Sequence, residues 1–341
     1  MNRSLLADLP RYVNSGVLSR GDLPLALVHP RLPFRRNART IADRFDRFRQ
    51  SSRPAPGPPR EVEVAGYEGP DAPVRRMMAY LARQLANDLL GAYVHGSLGT
   101  YDALAYSDFD ALVILKNEVF ATPGRLEAAA WKLSRAQSIM LDFDPLQHHG
   151  WFVLTEAELS AYPEHVFPVV LFDYAKSLLS ERGRRLTLRV QDVPEARHTA
   201  FRELSSRIID RIACGRHPSN IYELKLLLSQ FMLLPALYVQ ARDGRGAYKK
   251  FSFDLARPDI APEEWAVMDE VSTLRANWSV GLSPLQRLML TRTHPTRLAA
   301  ARWLAPTIPS SVRRLLTPGF YGRMQMLVLR LRQRLLAGQL S

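Results

Sequence analysis

The sequence predicts an α+β fold, a mixed β-sheet with flanking helices that is followed by an all-α domain. Up to about residue 190, short apolar runs alternate with segments in which apolar residues recur every three or four positions. This alternation indicates strands and helices in turn. From Glu195 onward the helical spacing continues almost throughout, with breaks rich in Gly, Pro and Asp between segments.

Four regions follow from this pattern together with the proline and arginine content. Residues 1–60 are predicted to form a basic extension that ends in a proline-rich linker, and residues 61–190 the α+β domain. Residues 191–310 are predicted to form the helical domain, and residues 311–341 a basic amphipathic helix.

Local signals predict the individual elements. A helix over residues 73–90 is favoured by Asp71 as its N-cap and by Pro73 in its first turn. Thr155 and Glu158 have the spacing of a capping box that opens a short helix. The other predictions for the α+β domain are a helix over 123–137 and strands over 92–95, 108–115, 138–143, 149–154 and part of 169–179. Further helices are predicted over 196–214, 219–242, 262–276 and 284–291.

Charge is concentrated at the two ends of the chain. The net charge is +13, of which twelve Arg and four Asp give residues 1–60 a net +8. Residues 285–341 hold ten Arg and no acidic residue, a net +10, which leaves −5 for the middle. Basic ends of this kind favour contact with RNA or another polyanion, although arginine-rich solvated faces are the alternative interpretation.

The cysteine content and the apolar runs indicate a cytoplasmic protein without a membrane span. The single Cys214 excludes a disulfide framework and a cysteine-based zinc site. No continuous apolar stretch typical of a signal peptide occurs near Met1. The most apolar run, residues 224–239, contains Lys225, Gln230 and Pro235, which favours a buried helix.

The most informative segment contains a Gly-Ser turn and, after ten intervening residues, an Asp-Phe-Asp sequence. Gly96 and Ser97 follow the first predicted strand, and Asp108 and Asp110 open the second. Alternate residues of a strand point to the same face, so the two carboxylates are expected side by side. Paired carboxylates favour a hard cation such as Mg²⁺ or Mn²⁺, and a Gly-Ser turn lets the backbone approach a phosphate.

These four residues resemble the signature of the DNA polymerase β-like nucleotidyltransferase superfamily, and the resemblance extends over residues 72–180. It implies a nucleotidyltransferase fold for residues 61–190, with Gly96 and Ser97 holding a nucleoside triphosphate (NTP). It also implies that Asp108 and Asp110 bind Mg²⁺ or Mn²⁺ during transfer of a nucleoside monophosphate to a hydroxyl, with release of pyrophosphate. The alternative is a turn glycine with a capping serine, before a strand that happens to begin with aspartates.

Such chemistry needs a third carboxylate near the attacking hydroxyl. Asp142 and Asp144, on the strand predicted over residues 138–143, are the candidates, and Asp144 is preferred because it stands at the strand end, where it would also bind the metal. His148 and His149 are adjacent, so at most one is expected to face the site. His95 is expected to pack beneath the turn.

The helical domain contributes a further candidate, the segment that contains Tyr248, Lys249 and Lys250. In similar enzymes a lysine or tyrosine from the helical domain reaches the β- and γ-phosphates, a role that suits a compact ammonium. A solvated loop is the alternative. Glu223 and Lys225, on a neighbouring predicted helix, are expected to be structural.

The acceptor of the transferred group is left open. RNA or tRNA, a small hydroxylated molecule of the aminoglycoside kind, and a protein side chain all remain candidates. A nucleotide-binding module that has lost turnover is the alternative outside the enzymes. The sequence predicts neither the base preference nor the oligomeric state.

Overall fold

The computed structural model describes residues 32–179, 184–291 and 303–338. Eight strands are present in these ranges: β1 Arg60–Glu63, β2 Leu89–Val94, β3 Ala111–Leu115, β4 Phe152–Thr155, β5 Tyr162–Pro163, β6 Lys176–Ser177, β7 Arg185–Leu188 and β8 Val190–Gln191. The helices of the first half are α1 Leu32–Ser51, α2 Ala72–Gln84, α3 Gly96–Gly99, α4 Pro123–Phe143 and α5 Val170–Tyr174. The second half is helical, with α6 Pro194–Ala213, α7 Ile221–Phe231, α8 Leu234–Asp243, α9 Lys249–Ala256, α10 Pro262–Ala276, α11 Pro284–Leu290, α12 Ser310–Arg313 and α13 Pro318–Gly338.

A mixed four-stranded sheet in the order β4-β3-β2-β6 lies at the centre of the first half. Strand β2 is antiparallel to both β3 and β6, whereas β3 and β4 are parallel. Strand β3 is the continuous apolar run Ala111–Leu115, and all five of its residues are buried, as expected for a strand covered on both faces. The predicted mixed α+β architecture is therefore confirmed at this level of description.

The pairing of β2 with β3 continues past the end of β2. The backbone N–H of His95 donates to the carbonyl of Asp110 over 3.0 Å. This bond places the chain turn at Gly96 directly beside the aspartate segment that precedes β3. The first two predicted strands are therefore present, but the second begins at Ala111, so the prediction that Asp108 and Asp110 lie on it is wrong.

The strand predicted over residues 138–143 is wrong, because helix α4 extends from Pro123 to Phe143. Thr122 caps this helix by accepting from the N–H of Arg125. The apolar stripe that starts at Leu126 continues through Met140 and Leu141, all of them buried, so the helical period persists to the end of the segment. The next strand is β4, which lies within the predicted range 149–154 except for Thr155.

Three other predicted boundaries also change. The predicted helix over 73–90 ends at Gln84, and the segment from Leu89 already belongs to β2. The predicted helix over 219–242 is two helices, α7 and α8, because Pro235 cannot supply the N–H that a continuous helix needs at that position. The segment 169–179 contains the short helix α5, and only Lys176–Ser177 is strand.

Helix α1 is part of the first core, although residues 1–60 were predicted to be an extension. Ala38, Ile41 and Phe45 are buried among the residues that cover the sheet, and the Phe45 and Phe120 rings stack with centroids 3.9 Å apart. The part of the extension before residue 32 lies outside the described residues.

Helix α13 buries its apolar stripe in the core of the helical half. The buried residues of this stripe are Phe320, Tyr321, Met324, Leu327, Val328, Leu331 and Leu335. On its polar side, Arg323 pairs with Glu270 over 2.7 Å and Arg330 pairs with Glu264. Its amphipathic pattern is therefore explained by packing within the chain, and contact with a polyanion stays a prediction.

One segment of the described ranges, Ile221–Asp243, has the length and hydropathy of a membrane span. Within its most apolar window, 72% is buried inside the structure. Most of the run around residues 224–239 is therefore buried in the fold, in two helices where a single buried helix was predicted.

Tyr106 joins the two halves of the chain. It follows β2 in the sequence but is buried in the helical core. Its hydroxyl donates to the carbonyl of Lys225 over 2.9 Å and lies 2.8 Å from the Ser229 hydroxyl, both on α7. This contact holds the segment before Asp108 against the helical half.

Tyr106→Phe is expected to lower the free energy of unfolding by about 1–2 kcal/mol, because buried partners on α7 lose a hydrogen bond. The measurement is urea unfolding followed by circular dichroism. Tyr80→Phe is the matched control, since the Tyr80 hydroxyl bonds to the Lys132 carbonyl over 3.0 Å at a partly exposed position. A Tyr106→Phe protein as stable as wild type would contradict the assigned contact.

Candidate active site

A cavity of about 530 Å³ lies where the end of the central sheet meets the helical half. This volume is within the range of about 300–1,000 Å³ usual for small-molecule sites. From the first half it is lined by polar groups that include His95, Gly96, Ser97, Asp108, Asp110, His148 and His149. From the helical half it is lined by Tyr248, Lys249, Lys250 and Arg275, together with apolar side chains that include Met232, Leu233 and Phe253.

Position 96 accepts only glycine, because Asp110 lies directly against its backbone. Its φ is +63°, in the left-handed region, and a Cβ at this position would lie 2.5 Å from the Asp110 Oδ2 atom. The Gly96 carbonyl accepts a hydrogen bond of 2.9 Å from the Tyr248 hydroxyl. The predicted Gly-Ser turn is thus packed against an aspartate of the same motif and tied to the helical half.

Ser97 points toward the loop that leads to the aspartates. Its hydroxyl donates to the Ser107 hydroxyl over 2.8 Å, and that oxygen also accepts from the N–H of Leu104 over 2.9 Å. Helix α3, which contains Gly96 and Ser97, has only four residues. Ser97 lines the cavity, so its hydroxyl stabilises the turn and borders the space that a ligand would fill.

Asp108 and Asp110 both lie close to the imidazole of His149. The His149 Nε2 atom is 3.0 Å from Asp110 Oδ1 and 3.5 Å from Asp108 Oδ2. Burial opposes ionisation of both carboxyls, but Lys225 and His149 hold the pKa of Asp108 well below its usual range, and His149 holds the pKa of Asp110 below it. Burial likewise opposes the charge on His149, yet the two carboxylates raise its pKa well above the ordinary value.

His148 faces the same carboxylates but makes no hydrogen bond with them. Its Nδ1 atom is 3.7 Å from Asp108 Oδ2 and is a buried nitrogen without a hydrogen-bond partner. Burial lowers the pKa of His148 to about 4, so the ring is neutral at pH 7. The prediction that at most one of the two histidines faces the site is wrong, because residues 145–150 form an irregular turn and not a strand.

Lys225 is a site residue that the sequence reasoning placed among the structural ones. Its Nζ atom lies 2.6 Å from Asp108 Oδ1 and 2.7 Å from Asp144 Oδ2, and its side chain is 1% exposed. Burial disfavours the ammonium, but the carboxylates of Asp144 and Asp108 outweigh it and raise the pKa of Lys225. The signal in the sequence is a lysine between Leu224 and Leu226 in the mostly apolar helix α7, because a lysine is fully buried only when it is paired.

Asp144 and Asp142 take different places. Asp144 follows the last residue of α4 and contacts Lys225, while burial raises its pKa to about 7 against the attraction of that ammonium. Asp142, on the last turn of α4, has 44% of its side chain exposed and lies 3.3 Å from Arg76. Asp142 is therefore outside the site. It lies two positions before Asp144, so at the end of a helix the two side chains point to different sides.

The neighbouring strand β4, Phe152–Thr155, supplies no carboxylate to the site. Strands β3 and β4 are parallel, and their register pairs Leu112 with Phe152. The turn that contains His148 and His149 therefore enters β4 at the same edge of the sheet at which the aspartate segment enters β3. The position expected for a third carboxylate is thus occupied by imidazoles.

Gln147 holds this histidine turn against the aspartate segment. Its side chain accepts from the Phe109 N–H over 2.9 Å, and it donates to the Phe109 carbonyl over 3.2 Å and to the His149 carbonyl over 2.9 Å. The side chain is fully buried. The sequence reasoning missed Gln147, and nothing in its local pattern distinguishes it from a surface glutamine.

The two lysines at the start of α9 have different surroundings. Lys250 is more than half exposed and pairs with Asp102 over 2.6 Å. Lys249 lines the cavity, and burial lowers its pKa, while Asp110 and Asp108 act in the opposite direction. Lys249 makes no ion pair with any described residue, so it is the lysine that is available to a ligand.

Tyr248 and His95 border the cavity from opposite halves. Burial raises the pKa of Tyr248 to about 12, which keeps its hydroxyl a donor to the Gly96 carbonyl. His95 packs beneath the turn, as predicted, with its ring edge against Phe167 at a centroid distance of 5.0 Å. Burial lowers the pKa of His95 to about 4, so the ring is neutral at pH 7.

Gly96→Ala is expected to cost about 1–3 kcal/mol of unfolding free energy through backbone strain and to push Asp110 from its place. Gly124→Ala is the matched control, because a Cβ at Gly124 meets no atom within 4 Å. Chemical denaturation of both variants measures the difference. Equal stability of the two variants would contradict the close packing of Gly96 against Asp110.

Gln147→Ala is expected to lower the free energy of unfolding by about 2–4 kcal/mol, since it leaves buried backbone groups of Phe109 and His149 unsatisfied. The same substitution at the buried Gln240, whose side chain donates to the Glu164 carbonyl over 3.2 Å, is the control. It is expected to cost about 1 kcal/mol. Denaturant titrations in which Gln147→Ala costs no more than Gln240→Ala would contradict this role.

Comparison of the chain with models of protein families, with curated proteins and with solved structures found no match.

Proposed function

We propose that this protein is a metal-dependent nucleotidyltransferase that transfers a nucleoside monophosphate from an NTP to an acceptor hydroxyl and releases pyrophosphate. One observation carries the proposal. The Gly96–Ser97 turn and the carboxylates of Asp108 and Asp110 border the same cavity, and Gly96 approaches Asp110 so closely that no side chain fits between them. A turn for phosphates and a pair of carboxylates for a cation are thereby adjacent.

The residues present fit a divalent metal ion. Two ionised carboxylates are largely buried beside each other, and a buried nitrogen of His148 next to them has no hydrogen-bond partner. Carboxylate oxygens are the ligands that Mg²⁺ and Mn²⁺ prefer. When bound, the metal supplies charge neutralisation for the reacting phosphate and for the leaving pyrophosphate.

The chain's own residues supply binding and orientation. Ser97 and the backbone of the turn border the space for the triphosphate, and Lys249 supplies a positive charge across the cavity. The ammonium of Lys225 fixes the orientation of Asp108 from the helical half, and Asp144 fixes Lys225 in turn. Asp144 does not line the cavity, so we assign it a positioning role. Preorganised charges of this kind account for most of the catalytic gain in such reactions.

The cavity favours a small acceptor over a folded RNA surface. Beyond the charged end, it is lined by apolar side chains that include Leu171, Met232 and Leu233. Such a lining suits the base of a nucleotide or the body of a small hydroxylated molecule. Arg323 and Arg330 of the C-terminal helix form ion pairs with acidic residues of α10, so these two arginines are not free to bind RNA phosphates. RNA and protein acceptors are the alternatives to be tested by experiment.

A second candidate function is nucleotide binding without turnover. His149 and Lys225 neutralise the charges of Asp110 and Asp108 within the chain itself. A protein that has kept the nucleotide site and lost the catalytic metal would have its carboxylates neutralised in this way. NTP binding without release of pyrophosphate would favour this candidate.

Asp110→Asn is expected to lower the rate of pyrophosphate release from NTP by at least about 10²-fold, because it removes a preorganised charge at the reacting phosphate. Each NTP is incubated with Mg²⁺ or Mn²⁺ and with extracted RNA, protein or metabolites, and pyrophosphate is measured enzymatically. Asp142→Asn, an exposed carboxylate outside the cavity, is the matched control and is expected to retain the wild-type rate. Undiminished release by Asp110→Asn would refute the proposed function.

A further inference from the structure

Three donor atoms from two segments of the chain converge at the charged end of the cavity. The His149 Nε2 atom lies 3.0 Å from Asp110 Oδ1 and 3.5 Å from Asp108 Oδ2. Ligand atoms in adjacent positions around an octahedral ion with bonds of about 2.1 Å lie about 3 Å apart. The 3.0 Å separation of Nε2 from Asp110 Oδ1 matches this spacing, and its 3.5 Å separation from Asp108 Oδ2 is somewhat wider. The ligand atoms of Asp108, His148 and His149 all lie within 4.8 Å of one another.

The ring of His149 is held in the orientation that a metal ligand needs. Its Nδ1 atom lies 3.2 Å from the Gly150 carbonyl, which can only accept, so Nδ1 carries the proton of that bond. A ligating histidine typically donates its other ring N–H to a carbonyl or carboxylate, which fixes the ring and the free nitrogen. Gln147 further holds the backbone of His149, so Nε2 is directed at the carboxylates by the surrounding chain.

The other oxygen of Asp108 is already engaged. Lys225 Nζ lies 2.6 Å from Asp108 Oδ1 and bridges it to Asp144, so a fixed positive charge stands beside the carboxylate pair. This arrangement differs from a site in which a third carboxylate on the neighbouring strand would help to bind a second metal ion. Strand β4 has no acidic residue to do so.

We propose that the cavity binds one divalent ion through Asp108, Asp110 and His149, whose Nε2 proton is released to solvent when the ion replaces it between the carboxylates, and that the ammonium of Lys225 occupies the place of a second metal ion. This inference deepens the proposed function and rests on it for the metal dependence. Because imidazole is a poor ligand for Mg²⁺ and a good one for first-row transition ions, the site is expected to prefer Mn²⁺ over Mg²⁺.

The test uses the full chain and the metal alone, without nucleotide. Free Mn²⁺ is followed by electron paramagnetic resonance during titration of the protein, and Mg²⁺ is measured by its competition. We expect one Mn²⁺ per chain, tighter binding of Mn²⁺ than of Mg²⁺ by at least about 10-fold, and electron spin echo modulation from a directly bound ¹⁴N. Two ions per chain, or no ¹⁴N modulation in the wild-type protein, would overturn the proposal.

Variants locate the nitrogen ligand. His149→Ala is expected to weaken Mn²⁺ binding by at least about 10-fold, since even the partners of metal ligands contribute that much, and to abolish the ¹⁴N modulation. His149→Asp is expected to reduce the preference for Mn²⁺ over Mg²⁺, because it replaces nitrogen with oxygen. His165→Ala, another histidine of the cavity lining, is the matched control and is expected to bind Mn²⁺ as wild type does.

Two outcomes separate this inference from the proposed function. Loss of the ¹⁴N modulation in His148→Ala with retention in His149→Ala would overturn the assignment of His149 in favour of its neighbour. One Mn²⁺ bound through His149 without any release of pyrophosphate would support the metal site and refute the transfer activity. Should His149→Ala fail to fold, as judged by circular dichroism, the wild-type stoichiometry and ¹⁴N modulation still decide the proposal.

Discussion

Two largely buried carboxylates lie where the central sheet ends, and the surrounding structure must compensate for their charge. An ionised carboxylate that leaves water without a partner costs several kcal/mol or more. Asp108 and Asp110 avoid this cost because His149 contacts both of them and Lys225 contacts Asp108. The cations come from a turn after α4 and from α7, so the charge balance draws the two halves of the chain together.

The same balance explains why the halves meet at this point. Lys225 is held by its ion pairs, and its backbone carbonyl accepts from Tyr106, which belongs to the first half. Tyr248 of the helical half donates to Gly96. Each half thus supplies a group that stabilises the functional segment of the other. A ligand in the cavity would contact both halves, since the lining comes from both.

The parts of the fold that depend on local pattern could be predicted from the sequence. The apolar strands β2 and β3 and the Gly96–Ser97 turn follow from local pattern, whereas Asp108 and Asp110 precede β3, so strand alternation does not set their placement. Residues 138–143 could not be assigned in this way, because a short apolar run is compatible with a strand and with the last turns of a helix. Packing against the sheet decides in favour of the helix.

The charge partners of the site could not be predicted, since they depend on contacts between distant segments. Lys225 meets Asp108 across 117 positions of the chain, and Gln147 meets Phe109 across 38. His148 and His149 were candidates from the sequence, but their orientation depends on an irregular turn, whose side-chain directions follow no periodic sequence pattern. The lone lysine in an apolar helix was the one sequence signal that pointed to a buried ion pair.

A crystal structure of the protein with Mn²⁺ and a non-hydrolysable NTP analogue tests the central claim most directly. We expect anomalous scattering from Mn²⁺ beside the carboxylates of Asp108 and Asp110, with the triphosphate against Gly96 and Ser97. A well-ordered analogue bound outside the cavity, or Mn²⁺ sites that contact neither aspartate, would contradict it.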